Sequence, residues 1–208
     1  GAARGGMRCP SLRATLLAAA LLAPSVAHPG AQVYEALGAS VRNRLSAAIA
    51  DRSVPELAFR EREDGHKWLF EMSRRLERRI ADRRQRLELL RTVHFEALRA
   101  GLDPQLVLGV IEVESHFRKY AVSRAGARGY MQVMPFWLKL IGARGDNLFH
   151  LRTNLRYGCV ILRHYLDLER GDYFRALGRY NGSLGRPDYP RAVLAAWKVR
   201  WGYSGATS

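Results

Sequence analysis

The chain has 208 residues, 48% of them hydrophobic and 25% charged, with a formal net charge of +15. That apolar fraction excludes a disordered chain and leaves room for one ordinary domain plus an extension. The basic balance raises nucleic acid as a partner, but no zinc-finger spacing and no aromatic RNA-binding stretch occurs, and the basic residues lie mostly along helices. No nucleic-acid partner is therefore expected.

The stretch from Met7 reads "MRCPSLRATLLAAALLAPSVAHPG". Arg8 and Arg13 precede a short apolar run, Ala14 to Ala23, and Ser25-Val26-Ala27 places small residues where a signal peptidase reads them. The run is too short to span a bilayer. The expectation is a secretory signal over residues 1–27, a mature chain starting near His28, and export, with the periplasm as the expected destination. Cys159 is then the one remaining cysteine, so neither an internal disulfide nor a cysteine metal site is expected. No further apolar stretch predicts a transmembrane segment in the mature chain.

From Gln32 to Ala50, Val33, Leu37, Val41, Leu45 and Ile49 recur every four residues and predict a helix. Ser53 and Pro55 open a short second one, and Asp64-Gly65 reads as a turn. Trp68, Met72, Leu76 and Ile80 continue the spacing. Asp82 followed by Gln85 resembles a capping box and starts a segment that stops at Gly101. The organisation predicted is a basic helical region over residues 28–81 and a second domain over 82–208. No strand alternation and no βαβ rhythm is present, so the fold class is all-α.

Asp103 caps the next helix and Pro104 suits its first position. At about 100° per residue, Leu106, Val107, Val110, Ile111, Val113 and Phe117 fall on one arc. Glu114 falls inside it, about 20° from Val107, and Glu112 falls opposite, toward water. A carboxyl on a buried face holds its proton to higher pH, as a general acid needs. Helix geometry alone leaves a second reading equally open, a structural glutamate satisfied by a buried arginine or by backbone amides.

The residues beyond Glu114 favour the general acid. "GLDPQLVLGVIEVESHFRKYAVSRAGARGYMQVMP" resembles the soluble lytic transglycosylase family, whose fold is lysozyme-like. Four features recur in order: Glu114-Ser115, the "AVS" with Ser123, the "GARGYMQVMP" block, and Tyr180-Asn181. "NLRYGCVILRHYL" looks like the family's Asn-x-x-x-Gly helix between them. The likeness covers about residues 84 to 203.

The resemblance implies a lysozyme-like transglycosylase domain acting on peptidoglycan glycan strands. It implies cleavage of the β-1,4 bond between N-acetylmuramic acid and N-acetylglucosamine, leaving a 1,6-anhydro end. One glutamate, matched by Glu114, serves as acid and then as base. Between Ser115 and Gly145 there is no Asp or Glu, which agrees with a single acid. A lysozyme-type hydrolase, or a non-catalytic wall-binding or assembly protein on the same scaffold, are the alternatives.

Substrate contacts are expected from several residues, each with a plainer alternative. Ser123 can bond the substrate or Glu114, or serve a turn. Gln132 can both donate to and accept from an N-acetyl group, or be a polar helix start. Met131 can pack on a sugar face or in the core. Tyr130, where the family commonly has Leu, can stack on a sugar or fill space. Tyr180 is expected to hold the Glu114 carboxyl through its hydroxyl, and Asn181 to bind sugar. Gly126 and Gly129 allow close backbone approach or a tight turn. Val193, Trp197 and Trp201 step by four along a last helix opened by Pro190 and read as core. His94, His116, His150 and His164 share no metal-ligand spacing, and no cofactor is expected. Protein partners are not legible.

Overall fold

A computed structural model describes residues 1, 32–51 and 62–204 of the chain. The predicted signal segment and the short helix at Ser53 and Pro55 lie outside the described residues. Among the described residues there are eight α-helices: α1 (Ala39–Ala50), α2 (Arg62–Leu76), α3 (Arg83–Arg99), α4 (Pro104–Ser115), α5 (Phe136–Ile141), α6 (Leu151–Leu168), α7 (Tyr173–Tyr180) and α8 (Asp188–Ala195). One wider π-type turn, Ala196–Arg200, continues α8. Apart from two isolated bridges, Val122 with Arg128 and Arg128 with Val133, the described residues contain no β pairing. The fold is all-α, as the periodicity predicts.

α4 is the central element. Asp103 caps it, accepting from the Gln105 amide at 2.7 Å, and Pro104 stands in the first turn, where no intrahelical donor is needed. Gly109 lets it approach the C-terminal helix: a Cβ there would stand 3.1 Å from the Trp197 amide nitrogen and 3.2 Å from the Val193 carbonyl. With α3 packed elsewhere along it, α4 is enclosed nearly all round, and every residue from Pro104 to Glu112 is buried. Val113 and Glu114 alone within it keep partial exposure. The one-sided arc predicted for this helix is thus the wrong picture, because a helix packed on all sides has no water-facing stripe.

α4 also ends earlier than predicted. His116 and Phe117 both have positive φ, 51° and 62°, and close it at Ser115. Phe117 remains buried, with its ring 5.4 Å from that of Trp201.

Two further boundaries differ from the periodicity. Asp64-Gly65 lies inside the first turn of α2, where Glu63 and Asp64 complement the positive helix end. α1 begins at Ala39, and the stretch before it is not helical. There the Gln32 side chain is buried and committed elsewhere. Its Nε2 donates to the Gln132 carbonyl at 3.1 Å, and its Oε1 accepts from the Met134 amide at 2.8 Å. Period-four spacing cannot register a bond formed about a hundred residues away.

The apolar faces of α1 and α2 join one buried core with the rest, through Leu45, Ile49, Trp68, Met72 and Leu76. α1 has no basic residue in its own last turn. Its final carbonyls instead accept from distant arginines, Ala48 from Arg99 at 2.9 Å and Ile49 from Arg156 at 3.0 Å. Both cations also pair with Glu96, which is fully buried.

Candidate active site

Glu114 stands in the last turn of α4, half-buried, with its carboxyl facing α7 and α8. The Tyr189 hydroxyl donates to its Oε1 at 2.7 Å, and the Asn181 side chain lies near enough to lower its pKa. Burial raises its pKa to about 7, outweighing the Tyr189 bond and the nearby Asn181 side chain, which both favour the charged form. None of the ion pairs among the described residues includes Glu114. A lone carboxyl that is desolvated but flanked by neutral polar side chains titrates near neutrality and can both give and take a proton.

Tyr189 is not among the residues picked out from the sequence. It is the second residue of α8, in the "RPDYPRA" stretch, and belongs to none of the recognised blocks. Because its hydroxyl stabilises the carboxylate, Tyr189→Phe should raise the Glu114 pKa above its present value of about 7. Carbon-13 NMR titration of labelled glutamate side chains would read this shift. A midpoint that stayed or fell would mean that the contact is not made in solution.

Tyr180 takes a different place from the one expected. It is fully buried, and its hydroxyl donates to the Met131 carbonyl at 2.8 Å rather than to Glu114. Asn181, the next residue, is the one whose side chain acts on the carboxyl, lowering its pKa. The reason is the helix phase: Tyr180 ends α7 facing the core, and one residue further the chain turns toward Glu114.

The "GARGYMQVMP" block forms a tight loop rather than a row of free side chains. The Gln132 amide donates to the carbonyls of Ala121 at 3.1 Å and Gly129 at 2.8 Å. The residue sits at φ 48°, a conformation that the loop must enforce on a non-glycine. Met131 is fully buried and packs against Gly158, where a Cβ would come within 2.3 Å of its sulfur. Gly129, at φ 76°, allows Asn154 to approach: a Cβ would stand 2.4 Å from its Nδ2. Asn154 accepts from the Met131 amide and donates to the carbonyls of Arg128 and Leu148, each at 2.8 Å. The Asn-x-x-x-Gly helix therefore holds this loop with its two matched residues, one turn apart on a single face of α6.

Ser123 serves the loop too, its hydroxyl accepting from the Ala127 amide at 3.1 Å rather than reaching Glu114. Tyr130 is almost buried, and its phenol is pushed up first by burial and then by the Glu88 carboxylate of α3. So the structure gathers Glu114, Asn181 and Tyr189, with Tyr180 and Met131 beneath them. The side chains of Ser123 and Gln132 are engaged in the loop, and Tyr130 is almost buried.

Glu112 corrects the sequence reading most sharply. It is not water-facing but 7% exposed. Its Oε2 accepts from Trp201 Nε1 at 2.7 Å and Arg200 Nε at 3.0 Å, while Arg79 bonds its Oε1. Two glutamates two apart on one helix thus have opposite environments, one compensated by cations and the other not. Asp146, the first acid after the loop, accepts from the Tyr157 hydroxyl at 2.6 Å and the Ala143 amide at 3.0 Å.

An all-helical core with one uncompensated acid at the end of its central helix, floored by a glycine-bearing loop, is the class of domain that this geometry defines. Residues 91–190 match the family described as the Transglycosylase SLT domain. A transglycosylase of Enterobacteria phage PRD1 is 32% identical over 126 residues, covering 57% of this chain and 46% of that protein. Membrane-bound lytic murein transglycosylase C of Histophilus somni (strain 2336) is 34% identical over 127 residues, covering 51% and 33%. The protein of the same name from Actinobacillus pleuropneumoniae serotype 5b is 54% identical over 52 residues, covering 25% and 13%. The X-ray structure of an inactive mutant of the lytic transglycosylase Slt from Pseudomonas aeruginosa superposes with a TM-score of 0.48 at 23% identity, over 53% of this chain and 23% of that one. The chain spans under half the length of each of these relatives.

Proposed function

We propose that this protein is a lytic transglycosylase of peptidoglycan, with Glu114 as its single acid and base. The observation that carries this reading is the Glu114 carboxyl itself, half-buried, without an ion-pair partner among the described residues, and titrating at about 7. In its protonated form it gives its proton to the glycosidic oxygen as the bond to the muramyl anomeric carbon breaks. The substrate's own N-acetyl oxygen stabilises the positive centre, which removes the need for a second carboxylate. The carboxylate left behind then takes the proton of the muramyl 6-hydroxyl as that oxygen closes on the anomeric carbon. The acid is regenerated and no water is consumed.

Tyr189 and Asn181 orient the carboxyl and keep its pKa from rising further. Tyr180 and Gln132 act beneath them by fixing the loop. Such a substrate lies outside the cytoplasm, in keeping with the secretory pattern at Met7 to Ala27. Among the described residues no helix is long and apolar enough to cross a membrane.

Mass spectrometry of products from purified sacculi tests the reading. Fragments one water lighter than reducing-end muropeptides are expected. Reducing ends alone would make the protein a hydrolase, and no release at all would make it a binding scaffold.

A further inference from the structure

A groove of about 780 Å³ runs along α3 and the start of α6, away from the Glu114 carboxyl. Its rim carries four arginines, Arg83, Arg84, Arg91 and Arg152, against one acid, Glu88. Among the described residues, Arg83, Arg84 and Arg91 take part in no ion pair. Arg152 leans on Glu96 at 3.4 Å, yet its Nη2 is buried with no hydrogen-bond partner among the described residues. Arg83 and Arg84 stand in the first turn of α3, where a cation adds to the positive end of the helix dipole. Merely solvated arginines would sit more favourably elsewhere on the helix, so this placement conflicts with the local rule, as residues kept for a ligand do.

The groove is not uniformly cationic. Leu87 gives it an apolar wall, and Glu88 places one carboxylate among the guanidinium groups. Guanidinium forks bind carboxylates in pairs of parallel bonds, and Glu88 would repel a run of phosphates but accept an ammonium group. The mixture fits a short peptide with several carboxylates, a free amine and small apolar side chains. Leu151 and Arg152, which line the groove, stand within a turn of Asn154, whose side chain bonds the loop at Arg128 and Met131, so the groove abuts that loop.

We propose that this arginine-lined groove binds the stem peptides of peptidoglycan, holding the strand by its peptide while the glycan occupies the Glu114 site. The proposal rests on the reading of the protein as a peptidoglycan enzyme.

The test uses the full chain and two triple variants, Arg83→Glu/Arg84→Glu/Arg91→Glu and Arg83→Gln/Arg84→Gln/Arg91→Gln. Circular dichroism confirms their folding, and the second variant carries the test if charge reversal harms the first. Sedimentation with sacculi in the cold is compared with sedimentation with glycan strands stripped of stems by an amidase. Both variants should bind intact sacculi at least tenfold more weakly than the parent. The parent should lose a similar factor on stripped strands, and all three chains should turn over stripped strands alike. A parent that binds stripped and intact material equally would overturn the proposal. So would variants that keep their hold on sacculi while losing only anionic lipid vesicles or DNA. Binding is read without turnover, so the two ideas fail separately: a parent that releases no muropeptide, but whose stem-dependent binding the variants lose, leaves the groove standing and sinks the enzyme.

Discussion

Glu114→Gln should abolish release of anhydro-muropeptides, by about 10²–10⁴-fold or to the limit of detection, with the helical fold unchanged. Gln keeps the shape and can still accept from Tyr189, but it cannot give or take a proton. The pH dependence of stability separates this loss from a merely structural one. The pKa of Glu114 is raised in the folded chain from 4.5 to about 7, so the folded state holds a proton that the unfolded state releases. Its contribution is fully present below about pH 4.5 and is lost as pH rises through about 7. Glu114→Gln should therefore be more stable than the parent at about pH 8 and little different at about pH 4, measured by urea unfolding at both. A folded Glu114→Gln that still released anhydro products would remove the carboxyl from the reaction.

Glu112→Ala should lower stability by about 2–4 kcal/mol, and so the melting temperature by roughly 4–16 °C. The substitution strands the buried Trp201 indole N–H without its acceptor, which alone costs about 1–3 kcal/mol. It also leaves the guanidinium groups of Arg79 and Arg200 uncompensated, although their side chains are 36% and 47% exposed and can be hydrated. That hydration keeps the expected loss below the upper range for a buried pair. Glu112→Gln should lose less, since its amide oxygen can still accept from Trp201. Activity per folded molecule should fall far less for either variant than for Glu114→Gln. A melting temperature for Glu112→Ala within about a degree of the parent would show that its contacts with Trp201, Arg79 and Arg200 add nothing.

The two carboxylates show how far local pattern reaches. Periodicity, caps and punctuation in the sequence determine the all-α class, the start of α3 at Asp82, the start of α4 at Asp103, and the buried row Val193, Trp197 and Trp201. The ordered motifs single out Glu114 and mark Asn181 as a sugar contact, without showing that Asn181 lies beside that carboxyl. These features depend on neighbours within a turn or two, or on short motifs, so a linear reading captures them.

The rest depends on residues far apart in the chain. A helical wheel assumes one wet side, and α4 has none, so Glu112 ends beneath Arg79, Arg200 and Trp201 rather than in water. Gln32 stays outside the helix, its amide held by the backbone of Gln132 and Met134. Tyr180 looks inward to Met131, and Tyr189, silent in the sequence, takes the carboxyl. Burial and hydrogen bonding of a polar group are settled by which surfaces meet, and only the packed tertiary structure brings those surfaces together.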